Sequence, residues 1–304
     1  MRPTAKRVMS CEAEPHLRRS GAQWCWWFLA AVLLALSACL YSGILARLVQ
    51  TWWNDPNYSH GFFVPLFSAY VVWSDRKRLA RIPLQPSWWG VTVVAVALFF
   101  LIAGVLGAAL FLSRWSFIFL LAGLVIYFLG WRFFRAVLFP WAVLILMIPI
   151  PAIVFNHISL PLQLVTSRLS MCLLSGAGVA VLQTGNIIHL PAMSLEVADA
   201  CSGIRGLVSL GTVAIIYGYR METKIHRRVI LGFAAVPIAV LANAVRVSST
   251  GLIAQYWGAD KAQGFFHEFS GWAIFVLSLG MLFLVHRGMG YLHQDEHRGV
   301  TDAT

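Results

Sequence analysis

The sequence has 304 residues, of which 59% are hydrophobic and only 12% are charged, and its mean hydropathy is +0.74. A soluble domain carries about 45–50% apolar and about 25% charged residues. The composition therefore excludes an ordinary soluble globule, a disordered chain and a disulfide scaffold, and it indicates a polytopic membrane protein. In such a protein the net charge of +11 points first to membrane orientation and not to nucleic acid, because Lys and Arg in loops orient membrane helices.

The predicted elements begin with a basic tail and then alternate between apolar runs and short polar loops. A membrane-spanning helix needs about 20 residues. The turn-forming sequence from Asn54 to Asn57 introduces a short second run. Eight runs are expected to cross the membrane, at residues 24–48, 58–73, 88–112, 115–130, 134–155, 203–219, 229–249 and 271–285.

The region between the fifth and sixth of these runs is predicted not to cross. Residues 160–182 are only mildly apolar and include Gln163 and Arg168, which a lipid-facing helix would not readily carry. We expect this segment to be interfacial or to pack against protein. Residues 186–190 and 194–197 then predict a small hairpin.

Charge in the loops predicts the topology. With a cytoplasmic N-terminus and eight crossings, 17 of the 23 Lys and Arg residues fall on the cytoplasmic side. A ninth crossing at 160–182 would place the later basic loops outside. We predict an all-α polytopic membrane protein with about eight transmembrane helices, both termini cytoplasmic, and short interfacial or re-entrant segments. Its parts are a basic tail at 1–23, a single transmembrane domain at 24–286 and a cytoplasmic tail at 287–304.

The first run also admits a different interpretation. Residues 36–39, which end at Cys39, look like a lipoprotein cleavage box, in which processing removes the preceding segment and acylates the cysteine. The polar region before it is unusually long for such a signal, and another membrane chain follows it. We therefore favour an uncleaved first span, which the intact mass of the purified protein would test.

Three residues on the predicted outer face form a candidate catalytic site. Cys201 stands where an outer segment becomes a helix, and the positive end of the helix dipole favours a thiolate there. Arg246 lies near the outer end of a span, and ionisable residues at membrane depth are costly and often functional. His267 in the next outer loop can act as base and acid. Packing roles remain the alternative for each residue taken alone.

Supporting roles are predicted for three further residues. Asn243 precedes Arg246 by three positions, so both share one helical face. Glu196 could pair with Arg246 or with Arg205, and His60 could line the same cavity. A disulfide between Cys201 and Cys172 remains open in an oxidising compartment. No metal-ligand spacing and no glycine-rich phosphate loop occurs, so we predict neither a metal nor another cofactor.

The ordered motifs resemble those of the exosortase/archaeosortase family of membrane cysteine transpeptidases. The resemblance extends from about residue 50 to 286, and the combination of motifs is more specific than any one of them. The matching segments are Asp-Pro-Asn-Tyr-Ser-His-Gly at 55–61, Glu196, Ala-Cys-Ser-Gly-Ile at 200–204, Asn-Ala-Val-Arg at 243–246, and His267 followed by Gly271 and Trp272.

The resemblance implies both an activity and its partners. It implies a multi-pass enzyme of the bacterial inner membrane, with a periplasmic site made of Cys201, Arg246 and His267. Its substrates would be exported proteins whose C-terminal sorting signal has a Pro-Glu-Pro-type motif, an apolar helix and a basic cluster. Cleavage near that motif would be followed by transfer of the protein to an envelope acceptor. Membrane lipids are the other expected partners, and nucleic acid is not expected as a partner. The rival hypothesis is a non-catalytic transporter or lipid-handling protein that uses the same polar residues.

Overall fold

The computed structural model describes residues 17–197, 203–263 and 265–301, and within these it places side chains at 28, 29, 31–197, 205–262 and 269–290. Regular structure in these ranges is almost entirely helical. The described residues include six helices that are long and apolar enough to cross a membrane: Ala31–Asn54, Trp89–Leu106, Leu110–Leu129, Ala152–Gly176, Ile225–Trp257 and Phe269–Gly290. The predicted all-α polytopic class is confirmed, whereas the number of crossings and the side of each terminus remain predictions.

The elements of the described residues are numbered in chain order. The α-helices are α1 (Leu17–Asn54), α2 (Phe63–Ser74), α3 (Arg76–Leu79), α4 (Trp89–Leu106), α5 (Leu110–Leu129), α6 (Trp131–Ala136), α7 (Leu138–Val143), α8 (Ala152–Gly176), α9 (Gly203–Met221), α10 (Ile225–Trp257), α11 (Ala259–Gln263) and α12 (Phe265–Thr301). Two 3-10 helices are η1 (Pro56–Phe62) and η2 (Leu144–Met147), and three strands are β1 (Leu182–Thr184), β2 (Ile187–His189) and β3 (Ser194–Glu196).

The turn sequence after α1 forms η1 through local hydrogen bonding. Asp55 caps this helix, because its carboxylate accepts a hydrogen bond of 2.9 Å from the backbone N–H of Asn57. At the other end, Gly61 lies directly against the indole ring of Trp52, where a Cβ atom would overlap the ring. That indole in turn donates to the carbonyl of Met147 at 2.9 Å. The motif at 55–61 therefore fixes η1 between α1 and η2.

The predicted second crossing is a composite of η1 and α2. Ser59 at the start of this segment lines the same cavity as Arg205 near the start of α9. Tyr70 near its end lies under Arg220, whose guanidinium carbon is 5.8 Å from the ring centroid, at the end of α9. The segment therefore runs alongside α9 from one end to the other, although α2 alone has only 12 residues.

The fifth predicted crossing, at residues 134–155, is not one continuous helix. The chain forms α6, α7 and η2 in succession, and the apolar part Leu138–Met147 is shorter than a spanning helix. Pro149 and Pro151 end it, because proline lacks the N–H of a helical bond and disfavours helix in the residue before it. The sequence analysis predicted one continuous crossing here because the residues on both sides of the break are apolar.

The segment at 160–182, predicted not to cross, contains most of α8, a helix of 25 residues. Its length and composition would allow it to span a membrane. Its polar face packs against α10, as the protein-packed alternative requires: the Ser170 hydroxyl donates to the Ala244 carbonyl at 3.2 Å, and the Ser248 hydroxyl to the Ser170 carbonyl at 3.4 Å. Arg168 lies on an exposed face.

The predicted hairpin is present and has an additional strand. β2 pairs with β3 in antiparallel register, with Ile188 opposite Leu195, and β1 extends the sheet on the other side of β2. Ile188, Leu195 and Val197 are buried in one cluster with Leu174 of α8 and Val247 of α10. The cluster attaches the sheet to these two helices, at the end of the bundle where α9 begins.

The second half of the chain forms a bundle of α9, α10 and α12. Its core contains Leu210 and Ala214 of α9, Leu231 and Ala235 of α10, and Leu282 of α12. The helices α9 and α10 are joined by a short loop of three residues, which makes them antiparallel neighbours. Consequently the start of α9, the second half of α10 and the start of α12 meet at one end of the bundle.

Candidate active site

A cavity of about 630 Å³ lies at that end of the bundle, bounded by η1, α9, α10 and α12. Its volume falls in the usual range for ligand sites, about 300–1,000 Å³. The wall combines apolar and small residues with hydroxyl, amide and guanidinium groups, and no carboxylate belongs to the described lining residues. The polar and small residues that matter most are Ser59, Arg205, Asn243, Arg246, Gly271 and Trp272.

Arg246 and Asn243 reach the cavity together from α10. Asn243 is buried, with 8% of its surface exposed, and Arg246 is half-buried. The Arg246 Nε donates to the Ser270 hydroxyl of α12 at 3.3 Å. A Cβ atom on Gly271 would lie 3.3 Å from the Arg246 Nη2, which is tight, so glycine allows the guanidinium to approach α12 closely. The arginine is thus held at the junction of α10 and α12.

Cys201 lies outside the described residues, but the chain on both sides of it is described. On one side Val197 is fully buried in the cluster beneath the sheet. On the other side α9 begins at Gly203, and its first turns contribute Arg205, Gly206 and Ser209 to the cavity wall. The first described residue of α9 to line the cavity, Arg205, therefore follows Cys201 by only four positions in the sequence.

His267 lies on α12, and its side chain is outside the described residues. Four residues further along the same helix, Gly271 and then Trp272 line the cavity. Four residues correspond to about one helical turn, or 6 Å of helix axis. The described backbone thus brings the segment that carries His267 to the end of the bundle where Arg246 lies.

The other two supporting residues are not among the described residues that line the cavity. The His60 Nε2 is 3.2 Å from the Leu146 carbonyl, so this ring contacts η2, and the residue does not belong to the described cavity lining. Glu196 is exposed on β3, and the salt bridges among the described residues both involve Glu222 instead. No described contact therefore pairs Glu196 with Arg205 or Arg246.

Arg205 is a charged cavity residue that the sequence analysis did not propose as part of the site. It had appeared there only as an alternative partner of Glu196. Arg205 lines the same cavity as Arg246. The available signal was its spacing, since a cation four residues after Cys201 on a membrane helix is costly and favours a functional explanation.

Neither a metal-ligand cluster nor a disulfide at Cys172 occurs among the described residues. Within the described ranges, no group of three or more His, Cys, Asp and Glu side chains could hold a metal ion. Cys172 is a free, exposed thiol on α8. The arrangement at the cavity is thus one of guanidinium, amide and hydroxyl groups, which suits the binding of a peptide backbone or an anion.

Together the helices and the cationic cavity define a multi-pass membrane protein with a polar site between its helices. The model of the transmembrane exosortase family (Exosortase_EpsH) matches residues 52–284, which is more than half of the chain. No curated protein and no solved structure matches the chain. The chain therefore belongs to the transmembrane exosortase family, whose members are generally cysteine proteases or transpeptidases with a role in protein sorting.

Proposed function

We propose that this exosortase cleaves a C-terminal Pro-Glu-Pro-type sorting signal on exported proteins and transfers them to an envelope acceptor, at the periplasmic face of the bacterial inner membrane. One observation supports the proposal most strongly. A single cavity contains Arg246 and Asn243, the first turns of the helix that begins just after Cys201, and the turn that follows His267. The proposed nucleophile immediately precedes α9 in the sequence, the cation lies on α10, and the proposed acid lies on α12.

Cys201 is the proposed nucleophile. A thiolate, and not a thiol, attacks a carbonyl, and nearby positive charge favours the thiolate. Arg246 lines the cavity that the start of α9 borders, and the N-terminal end of that helix adds a partial positive charge. Asp199 or Ser202 would cap the helix. This environment explains why a cysteine at this position would be reactive.

Arg246 is the proposed oxyanion ligand. Its guanidinium is always charged, and its contacts with Ser270 and Gly271 hold it against α12 before substrate binds. Preorganised donors of this kind stabilise the charge that develops on the carbonyl oxygen in the transition state. Asn243, on the same face of α10, would orient Arg246 or the substrate backbone.

His267 is the proposed acid and base. The Cys201 sulfur forms a bond to the carbonyl carbon, the peptide C–N bond breaks, and His267 gives its proton to the departing amine. The product is a thioester. An acceptor nucleophile then attacks the thioester carbonyl, passes its proton to His267 and releases the Cys201 thiolate. The apolar helix of the substrate docks among the spans, which places the scissile bond at the outer boundary.

Replacing the nucleophile provides the direct test. Cys201→Ala should abolish cleavage of a co-expressed substrate while membrane insertion is retained, and immunoblotting of the substrate would measure this. Cys172→Ala is the matched control, since that thiol is exposed on α8 outside the cavity, and it should process normally. A membrane-impermeant maleimide should label Cys201 faster than Cys172 and stop the reaction. Normal processing by Cys201→Ala would overturn the proposal and leave the transporter or lipid-handling alternative.

A further inference from the structure

The cavity contains a second guanidinium, that of Arg205, to which the proposed chemistry gives no role. Arg205 is an exposed residue of α9 that lines the cavity, whereas Arg246 comes from α10. Ser209 lines the same wall one helical turn after Arg205, and Gly206 beside it leaves open space, since a Cβ atom there would meet nothing within 4 Å. Arg205 therefore borders a part of the cavity that has room for a further group.

The electrostatics of this region favour an anionic occupant. Arg205 and Arg246 repel each other, and the nearby acid that attracts Arg205 is Asp55, at the start of η1. No salt bridge or hydrogen bond among the described residues engages the Arg205 side chain. Trp272 and Phe275 add apolar surface to the cavity wall.

We propose that Arg205 binds a carboxylate of the peptide substrate and thereby selects peptides with an acidic residue beside the cleavage site. The inference rests on the proposed function. A guanidinium matches a carboxylate with two parallel N–H donors, which gives both affinity and geometric selectivity. The Ser209 hydroxyl provides a further donor on the same wall. Arg205 is here a specificity residue, distinct from Arg246 at the reacting carbonyl.

The phosphate of an anionic lipid headgroup is the other source of such an anion. The placement of Arg205 favours the peptide. It lies in the first turn of α9, and Cys201 precedes it by four residues in the sequence, so the group it reaches belongs to whatever is bound next to the nucleophile. Under the proposed function that bound group is the segment around the scissile bond.

The test couples a change in the enzyme with a change in the substrate. Membranes that contain the full-length protein are assayed with a sorting substrate and with versions in which each acidic residue of its sorting segment is replaced by Gln, one at a time. Arg205→Gln should lower kcat/KM for the parent substrate about tenfold or more. For one Gln version, wild type and Arg205→Gln should differ by less than about twofold, because the interaction is already absent.

Matched variants separate recognition from folding. Arg168→Gln makes the same change at an exposed arginine of α8 outside the cavity lining, and it should leave kcat/KM unchanged for every substrate. Should Arg205→Gln fail to accumulate, Gly206→Leu would fill the open space beside Arg205 and should also lower kcat/KM for the parent substrate. Gly211→Leu, on the same helix with open space but outside the cavity lining, is its control.

The results that would overturn the inference differ from those that would overturn the proposed function. Equal losses for Arg205→Gln on the parent substrate and on all Gln versions would exclude carboxylate recognition. A loss that follows the phosphatidylglycerol content of reconstituted vesicles, and not the acidic residue of the substrate, would assign Arg205 to a lipid headgroup. In both cases Cys201-dependent cleavage would persist, whereas cleavage by Cys201→Ala would refute the proposed function itself.

Discussion

The two ends of the bundle of α9, α10 and α12 use charge in opposite ways. At the end away from the cavity, Glu222 is buried, and its carboxylate lies 3.4 Å from the Arg227 Nη1 and 3.2 Å from the His286 Nε2. The Arg228 Nε donates to the Glu222 carbonyl at 2.7 Å, and the Tyr217 hydroxyl is 2.7 Å from the other ring nitrogen of His286. This end closes a network between charges of opposite sign.

The cavity end instead brings cations together around an open volume. Arg205 and Arg246 line one space whose described walls include no carboxylate. A buried carboxylate that is bound by several donors resists rearrangement, because breaking these contacts would leave a buried charged group without a partner. Cations that face a cavity are available to a group that enters it. The same three helices therefore carry a structural charge cluster at one end and a candidate reaction site at the other.

Among the variants that compare the two ends, Arg246→Lys is expected to have the largest effect on activity. The substitution keeps the charge but removes the planar fork and the Nε donor to Ser270, so support of the oxyanion should be lost. We expect kcat to fall by about 10²-fold or more, while the protein remains folded in the membrane. Initial cleavage rates at saturating substrate would measure it. Arg168→Lys is the control, and a wild-type rate for Arg246→Lys would remove Arg246 from the reaction.

The opposite end should respond in stability and not in chemistry. Glu222→Gln removes the charge that Arg227 and His286 share, and it should lower the free energy of unfolding by about 1–3 kcal/mol. Thermal unfolding in detergent would detect this, with cleavage normalised to folded protein unchanged. Glu196→Gln, at an exposed carboxylate, should leave the melting temperature unaltered. A normal melting temperature with a reduced rate per folded molecule would contradict the division between the two ends.

Gly271→Ala probes how closely Arg246 must approach α12. The added methyl would lie 3.3 Å from the Arg246 Nη2, so the guanidinium must move by a few tenths of an ångström. Small displacements of a group that is positioned for catalysis reduce the reaction rate, and we expect cleavage to slow by about tenfold. Gly280→Ala is matched on the same helix, where the methyl meets nothing within 4 Å. Equal rates for the two variants would show that this contact does not set the position of Arg246.

Ser270→Ala should give the smallest effect. It removes the hydroxyl that accepts from the Arg246 Nε, a net interaction of about 0.5–1.5 kcal/mol, which corresponds to about a two- to tenfold decrease in rate. Ser42→Ala, at an exposed hydroxyl of α1, is the control. Because the bond acts through Arg246, Ser270→Ala should add little to the defect of Arg246→Lys. Fully additive losses would show that Ser270 acts independently of Arg246.

Much of the fold was predictable because it depends on local properties. Apolar run length predicted five of the six helices that could cross a membrane, and the turn sequence before η1 and the hairpin at 186–197 were recognised from residue type. The break before Pro151 was overlooked because apolar content continues through it. The helical extent of α8 was also overlooked, since its hydroxyls lower the hydropathy of a surface that in fact packs against α10.

The candidate site was predictable only in part. The three-residue spacing of Asn243 and Arg246 puts both on one face of α10, and both line the cavity. His60 belongs to the same sequence motif as Ser59, yet only Ser59 lines the cavity, because a 3-10 helix turns successive side chains in different directions. The roles of Cys201 and His267 remain predictions, with their positions along the chain as support.

The sequence by itself determined the class of protein and its family. Apolar composition and run length require membrane helices, and the ordered motifs from 52 to 284 are those of a transmembrane exosortase. The tertiary structure alone decided which charges share a space. Arg205 and Arg246 are 41 positions apart, and they line one cavity because α9 and α10 fold back on each other. The local sequence pattern does not predict this proximity, because the proximity depends on how the helices pack.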